Sequence, residues 1–173
     1  MIQRVKQFYR AISAKLSVAD RKFIEEKLPP AALHLFYAMH PADQYHALRV
    51  TRTAITLSEY APAAGDRALL IRAALLHDVG RVKGDLDIWG KVWAVLFNRL
   101  LPQWSKDRAA ARNTGNYISR ILYIYYNHPE IGAEKLTEIG LLREAEIIRR
   151  HHAAPREDDS WELAILRQAD DLN

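Results

Sequence analysis

The stretch Ala74-Leu75-Leu76-His77-Asp78-Val79-Gly80-Arg81 decides how the rest of the chain is read. It ends an apolar run that begins at Leu69 and is interrupted only by Arg72. The pattern predicts an apolar helix over Asp66 to His77, followed by the punctuating Gly80 and Gly84. A histidine and an aspartate side by side at such a helix end can be read in two ways. They can be a C-terminal cation and a capping carboxylate, a common structural arrangement, or two ligands for a metal ion. The sequence on either side decides between them.

Working outward, most of the seven Gly and seven Pro punctuate segments of helical period. These segments predict helices over Ile2 to Leu16, Val18 to Lys27, Ala31 to Met39, Pro41 to Tyr60, Asp66 to His77, Asp85 to Leu101, Lys106 to Tyr126, Pro129 to Ile139, Leu141 to His152 and Ser160 to Leu172. Ser17 suits the N-cap of the second, and Pro41 and Pro129 suit the first turns of theirs. Alternating, strand-like sequence is confined to Tyr117 to Tyr126. The expectation is an all-α bundle of about eight to ten helices.

The 173 residues suffice for one domain with a real core. The chain has no cysteine, which excludes disulfide frameworks, thiolate zinc sites and cysteine nucleophiles and leaves histidine and carboxylate as metal ligands. No stretch approaches the roughly 20 apolar residues needed to span a bilayer. The N-terminus, with Arg4, Lys6 and Arg10 among polar residues, reads as a helix and not a signal peptide; a cytoplasmic protein is the expectation. A net charge of +4 suits anionic ligands such as phosphates. No basic tail or aromatic-interleaved strand pattern marks a nucleic-acid module.

Seven histidines occur, and His46, His77, His128, His151 and His152 fall at helix ends or beside a carboxylate. Imidazole and carboxylate suit iron, manganese, cobalt, nickel or zinc, and an aspartate between two ions can bridge them. His34 and His40 lie outside this pattern and read as structural or surface residues.

The order and context of these residues resemble the HD-domain superfamily, in particular its HDIG and HD-GYP branches. Gln44 to Val50, "QYHALRV", looks like the family's leading histidine helix, and "ALLHDVGR" like its HD core. His128 to Leu136, "HPEIGAEKL", is similar to the next histidine motif; "IIRRHHAA" and "ILRQADDL" are similar to the last histidines and aspartate. The resemblance covers Gln44 to Leu172. It implies a single HD domain over 1–173, with helices of 1–40 packed on a metal-binding core of 41–172.

Carried over residue by residue, the resemblance assigns His46, His77, Asp78 and Asp170 to one divalent transition-metal ion and Asp78, His128, His151 and His152 to a second. Asp78 would bridge them, and a metal-bridging hydroxide would attack a phosphate ester. The implied activity is that of a phosphohydrolase, more specifically a phosphodiesterase acting on a nucleotide or similar small phosphorylated substrate. The family often places Lys after the HD-x-G unit to hold phosphate; here Arg81 stands there, with Lys83 close behind. Arginine can serve through a bidentate fork. The Gly-Tyr-Pro signature is missing, because Ala153 to Asp159 reads "AAPREDD", so cyclic di-GMP is not the expected substrate. Three-metal relatives carry a Glu where this chain has Ala42, which implies two ions.

Adjacent residues on an ideal helix point about 100° apart, so His151 and His152 can share an ion only if their helix ends or loosens there. Asp170 is preferred to Asp171 because it follows Ala169 in the family's phrase. Residues 88–101 form an amphipathic segment that reads first as core packing and also permits a lid, a dimer surface or attachment to a membrane surface. Two other functional classes stay open: a di-iron oxygenase of the same superfamily, and a nucleotide-binding regulatory module with little turnover.

Overall fold

Seven helices, and no strand, occur among residues 15–61, 65–82 and 117–173, which are those described by the computed structural model. They are α1 (Val18–Lys27), α2 (Pro30–Ala38), α3 (Pro41–Tyr60), α4 (Arg67–Leu76), α5 (Tyr117–Glu138), α6 (Leu142–Arg150) and α7 (Trp161–Asp171). Lys83, the amphipathic segment 88–101 and the helices expected over Ile2 to Leu16 and Asp85 to Leu101 lie outside the described residues, save for Lys15 and Leu16 at the end of the first.

Local chemistry sets the helix starts. Ser17 opens α1 with a reciprocal capping box: its hydroxyl accepts from the Asp20 amide, and its own amide donates to the Asp20 carboxylate. Asp66 caps α4 and Ser160 caps α7 through the amides of Leu69 and Leu163. His40, one of the two histidines outside the metal pattern, accepts from the Ala42 amide at the start of α3, and His34 is exposed. Gly140 ends α5 with φ +80°, and the amides of Gly140 and Leu141 return to the carbonyls of Thr137 and Leu136. That is a Schellman closure, for which glycine has the backbone freedom.

α4 is the axis of the fold. It is apolar almost all round, as suits a helix surrounded by protein, and it divides the core in two. One side packs Leu75 and Leu76 against Ile24, Leu28, Phe36 and Met39 of the N-terminal helices and against Leu136 and Ile148. The other packs Leu69, Leu70 and Ala73 against Val50 and Ala54 of α3 and Leu163 and Leu166 of α7. Arg72, the one charge in the run, donates at 2.6 Å to the buried Glu144 of α6.

One expectation is corrected. Pro129 does not open a helix: α5 runs through it without a break, joining the described end of the helix expected over Lys106 to Tyr126, whose residues 106–116 lie outside the described residues, to the one expected over Pro129 to Ile139. A proline inside a helix forfeits one backbone hydrogen bond, here to the Tyr125 carbonyl, four residues back. That carbonyl has another donor, described below.

Candidate metal centre

His46 comes from α3, His77 and Asp78 from the end of α4, His128 from the middle of α5, His151 and His152 from the turn after α6, and Asp170 from α7. The fold brings all seven together. Their imidazoles form a continuous series with ring centroids 5.3 Å apart for His46 and His77, 5.4 Å for His77 and His151, 5.5 Å for His151 and His128, and 3.9 Å for His151 and His152. α6 stops at Arg150, where regular helical hydrogen bonding lapses although His151 keeps right-handed helical dihedrals, and the adjacent His151 and His152 both point into one cluster.

Two triads emerge: His46, His77 and Asp170, and His128, His151 and His152, with donor atoms in each within 4.8 Å of one another. Asp78 lies between them, 1% exposed. Its Oδ2 is 3.6 Å from His77 Nε2 in the first triad, and its Oδ1 is 3.3 Å from His128 Nε2 in the second. Asp170 Oδ1 is 3.0 Å from His46 Nε2 and 3.7 Å from His77 Nε2, whereas Asp171 is exposed. Asp43 and Ala42, one turn before His46, belong to neither triad.

Three of the imidazoles are oriented by the same device. His77, His128 and His151 each place Nδ1 against the carbonyl three residues back, Ala74 at 2.9 Å, Tyr125 at 2.8 Å and Ile148 at 2.6 Å. A carbonyl can only accept, so each Nδ1 carries the proton and each Nε2 presents a lone pair to the cluster. Histidines that bind metals are held in this way. Each stands where helical bonding lapses: the C-caps of α4 and α6, and Pro129 in α5, whose missing N–H leaves the Tyr125 carbonyl to His128.

The donor set fits a metal. Among the described residues, His77 Nε2, His151 Nε2 and Asp78 Oδ1 are buried without a hydrogen-bond partner, a costly arrangement unless something binds them. Donor atoms around a transition-metal ion lie roughly 3–4 Å apart, so each triad needs only a small contraction. Arg81 supplies positive charge at the same place, its Nη1 2.8 Å from Asp78 Oδ2 and its Nη2 3.0 Å from His128 Nε2.

The electrostatics follow. Burial pushes the Asp78 carboxyl up, but Arg81 and the imidazoles of His77 and His128 outweigh it and hold Asp78 well below the usual range. Asp170, pushed up by burial but pulled down by His46 and His77 together, is lowered to about 2. His46 resists desolvation and is raised by Asp170. Burial lowers His128 and His151, helped by Arg81 and by His77 respectively, and desolvation with the facing His128 takes His152 to about 4.

These shifts give the chelator-treated protein a definite pH dependence. Below the ordinary histidine value of 6.5 the unfolded chain protonates His128, His151 and His152 while the folded chain keeps them neutral, so stability falls between about 6.5 and about 4. His46 acts in the opposite sense, and the contributions of Asp78 and Asp170 are lost only below pH 3.8, that of Asp170 as the pH nears about 2. With three histidines against one, the melting temperature should fall by about 5 °C or more from pH 7 to pH 4.5. Thermal melts across that range check this; a flat or rising profile contradicts it.

Sequence reading missed several residues that build the site. Gly80 is more than punctuation: a Cβ there would lie 2.7 Å from the His128 carbonyl carbon and 2.9 Å from its Cα, and one on Gly132 would lie 3.1 Å from the Gly80 amide nitrogen. This close approach of backbones sets Asp78 beside His128. Two glycines in "HDVG" and "HPEIG" were the available signal. Arg167 and Asp159, which hold the turn carrying His151 and His152, left none, because their pairing depends on how residues 151–160 fold.

No helix among the described residues is long and apolar enough to cross a membrane. No curated protein and no solved structure gives a significant match to the chain. The family model described as HD domain matches residues 44–173, from two residues before His46 to the end of the chain and so across the whole cluster. The chain therefore belongs to the HD-domain family, whose members bind divalent metals and are in general metal-dependent phosphohydrolases.

Proposed function

We propose that this protein is a two-metal phosphohydrolase of the HDIG type, acting as a phosphodiesterase on a nucleotide or related small phosphate ester. The observation that carries the proposal is Asp78, a buried carboxylate whose two oxygens face different triads. His46, His77, Asp78 and Asp170 would hold one ion, and Asp78, His128, His151 and His152 the other. Bound divalent ions supply acidified water as a nucleophile near neutral pH and offset charge on the phosphate oxygens.

The chain's own residues do the rest. The carbonyls of Ala74, Tyr125 and Ile148 fix the tautomers of three ligands. Arg81 lies at the His128 side of the cluster with two Nη groups in a fork, which suits two oxygens of one phosphate. Lys83, two residues on, is proposed as a second phosphate contact. Burial of Asp78, His128 and His151 keeps competing water from the donor atoms.

The test is metal analysis and turnover on one preparation. Purified chain exposed to Mn, Fe, Zn, Co or Ni should hold two ions, and the loaded protein should release product without oxygen from a panel of cyclic and linear dinucleotides, nucleotides and aryl phosphates, without preference for cyclic di-GMP. Oxygen-dependent turnover with an EPR signal from a half-oxidised di-iron state would replace this reading with an oxygenase. Tight nucleotide binding without turnover under any metal would replace it with a regulatory module. Selective cleavage of cyclic di-GMP would overturn the substrate assignment.

A further inference from the structure

The turn that carries His151 and His152 has little regular structure of its own, since α6 ends at Arg150 and α7 does not begin until Trp161. Two adjacent side chains can serve one ion only if this turn keeps a particular shape. Its backbone is held from the neighbouring helix. Arg167 of α7 donates through Nη2 to the Arg150 carbonyl at 2.8 Å and through Nε to the His151 carbonyl at 3.3 Å. These are the two carbonyls at the point where the helix stops.

The third arm of the guanidinium, Nη1, pairs with Asp159, whose side chain is 6% exposed. Asp159 in turn accepts from Arg150 Nη2 at 2.6 Å and from the Arg156 amide at 2.8 Å. The Arg167 side chain is itself 12% exposed. A planar fork with donors in fixed directions can serve three acceptors at once, which a lysine ammonium on a flexible stem does less well. Arg167 also precedes Asp170 by three residues on α7, so the two lie on neighbouring positions of one helix face. The residue that ties down the His151–His152 turn is thus built into the helix that presents a donor to the other triad.

We propose that Arg167 is a positioning residue for the metal site: by clamping the carbonyls of Arg150 and His151 to α7 it sets His151 and His152 toward His128, without touching ion or substrate. Asp159 completes the clamp by holding the guanidinium in register. This inference rests on the two-metal reading of the site, and it assigns Arg167 to the His128, His151 and His152 set alone.

The full chain, stripped with chelator and titrated with Co²⁺, tests it by calorimetry and by the visible d–d absorption of the bound ion, alongside circular dichroism and thermal melts. In Arg167→Gln, one of the two binding events should weaken by about 10- to 100-fold, the range typical of losing an outer partner of a ligand, with a changed d–d band and the other event retained. Arg167→Lys, which keeps the charge beside Asp159 but cannot reach both carbonyls, should weaken the same event by a smaller factor and carries the comparison if Arg167→Gln does not fold. Wild-type affinities and spectrum in a variant whose melting temperature alone has dropped would overturn the inference, because Arg167 would then be only a structural tie. Equal weakening of both events would also overturn it. A wild-type chain that takes up no Co²⁺ would overturn the two-metal reading, and the inference with it.

Discussion

Asp78→Ala should strip both ions from the chain and lower turnover by about a thousandfold or more, since two-metal stabilisation of a phosphoryl transition state is worth several kcal/mol and each 1.36 kcal/mol is a factor of ten. Its two oxygens face separate triads, so its removal takes negative charge from both ions and leaves their mutual repulsion uncompensated. His46→Ala or His152→Ala removes a terminal donor from one triad and should leave the other ion mostly held. The contrast is measured by metal analysis of the wild type and the three variants after equal exposure to Mn, Fe or Zn. A folded Asp78→Ala protein that retains two tightly bound ions would refute the bridging role.

Gly80→Ala should damage the fold and the site together. The added methyl meets the backbone of His128, its carbonyl oxygen, carbonyl carbon and Cα, and not the yielding end of a side chain. Nothing short of moving α5 away from the end of α4 relieves the clash. Overpacking of this kind costs typically 1–3 kcal/mol and more where backbone must shift, so a loss of about 3 kcal/mol in urea unfolding is expected. Because the displaced backbone is that of a proposed ligand, uptake of the ion at the His128 triad should weaken in the same variant. A Gly80→Ala protein with wild-type stability and metal uptake would show that the helices separate freely, contrary to the packing described. Gly132→Ala should be milder, because its Cβ would sit 3.1 Å from the Gly80 nitrogen and 3.1 Å from the flexible Ile148 Cδ1.

Much of this is legible in the sequence. Residues 69–76 read as an apolar helix because one charge interrupts eight residues, and α4 is the helix that divides the core. The need for the helix to end or loosen at His151 follows from the angle between adjacent side chains, and α6 does end at Arg150. Gathering five histidines and two aspartates from a chain of 173 residues was harder, since each alone is an ordinary residue of a helix or of its end; their order and the family pattern carried that step.

Pro129 misled the reading because proline at a first helical turn is the commoner arrangement, and only the side chain of His128 explains why α5 tolerates it. Arg167 was illegible for a different reason. Its acceptors are 8, 16 and 17 residues away across a loop, and neither periodicity nor spacing encodes a contact of that kind.

Pro129 also places the protein's thermodynamic and chemical interests in opposition at a single residue. A proline in a helix interior costs about 3 kcal/mol relative to alanine, a large share of the roughly 5–15 kcal/mol that holds a domain folded. An engineer seeking heat resistance would replace it first, and the restored amide would then compete with His128 for the Tyr125 carbonyl. Natural proteins sit just above the stability their function needs, and in this one part of the unused margin lies in the middle of α5, next to a proposed ligand whose orientation depends on leaving it unused.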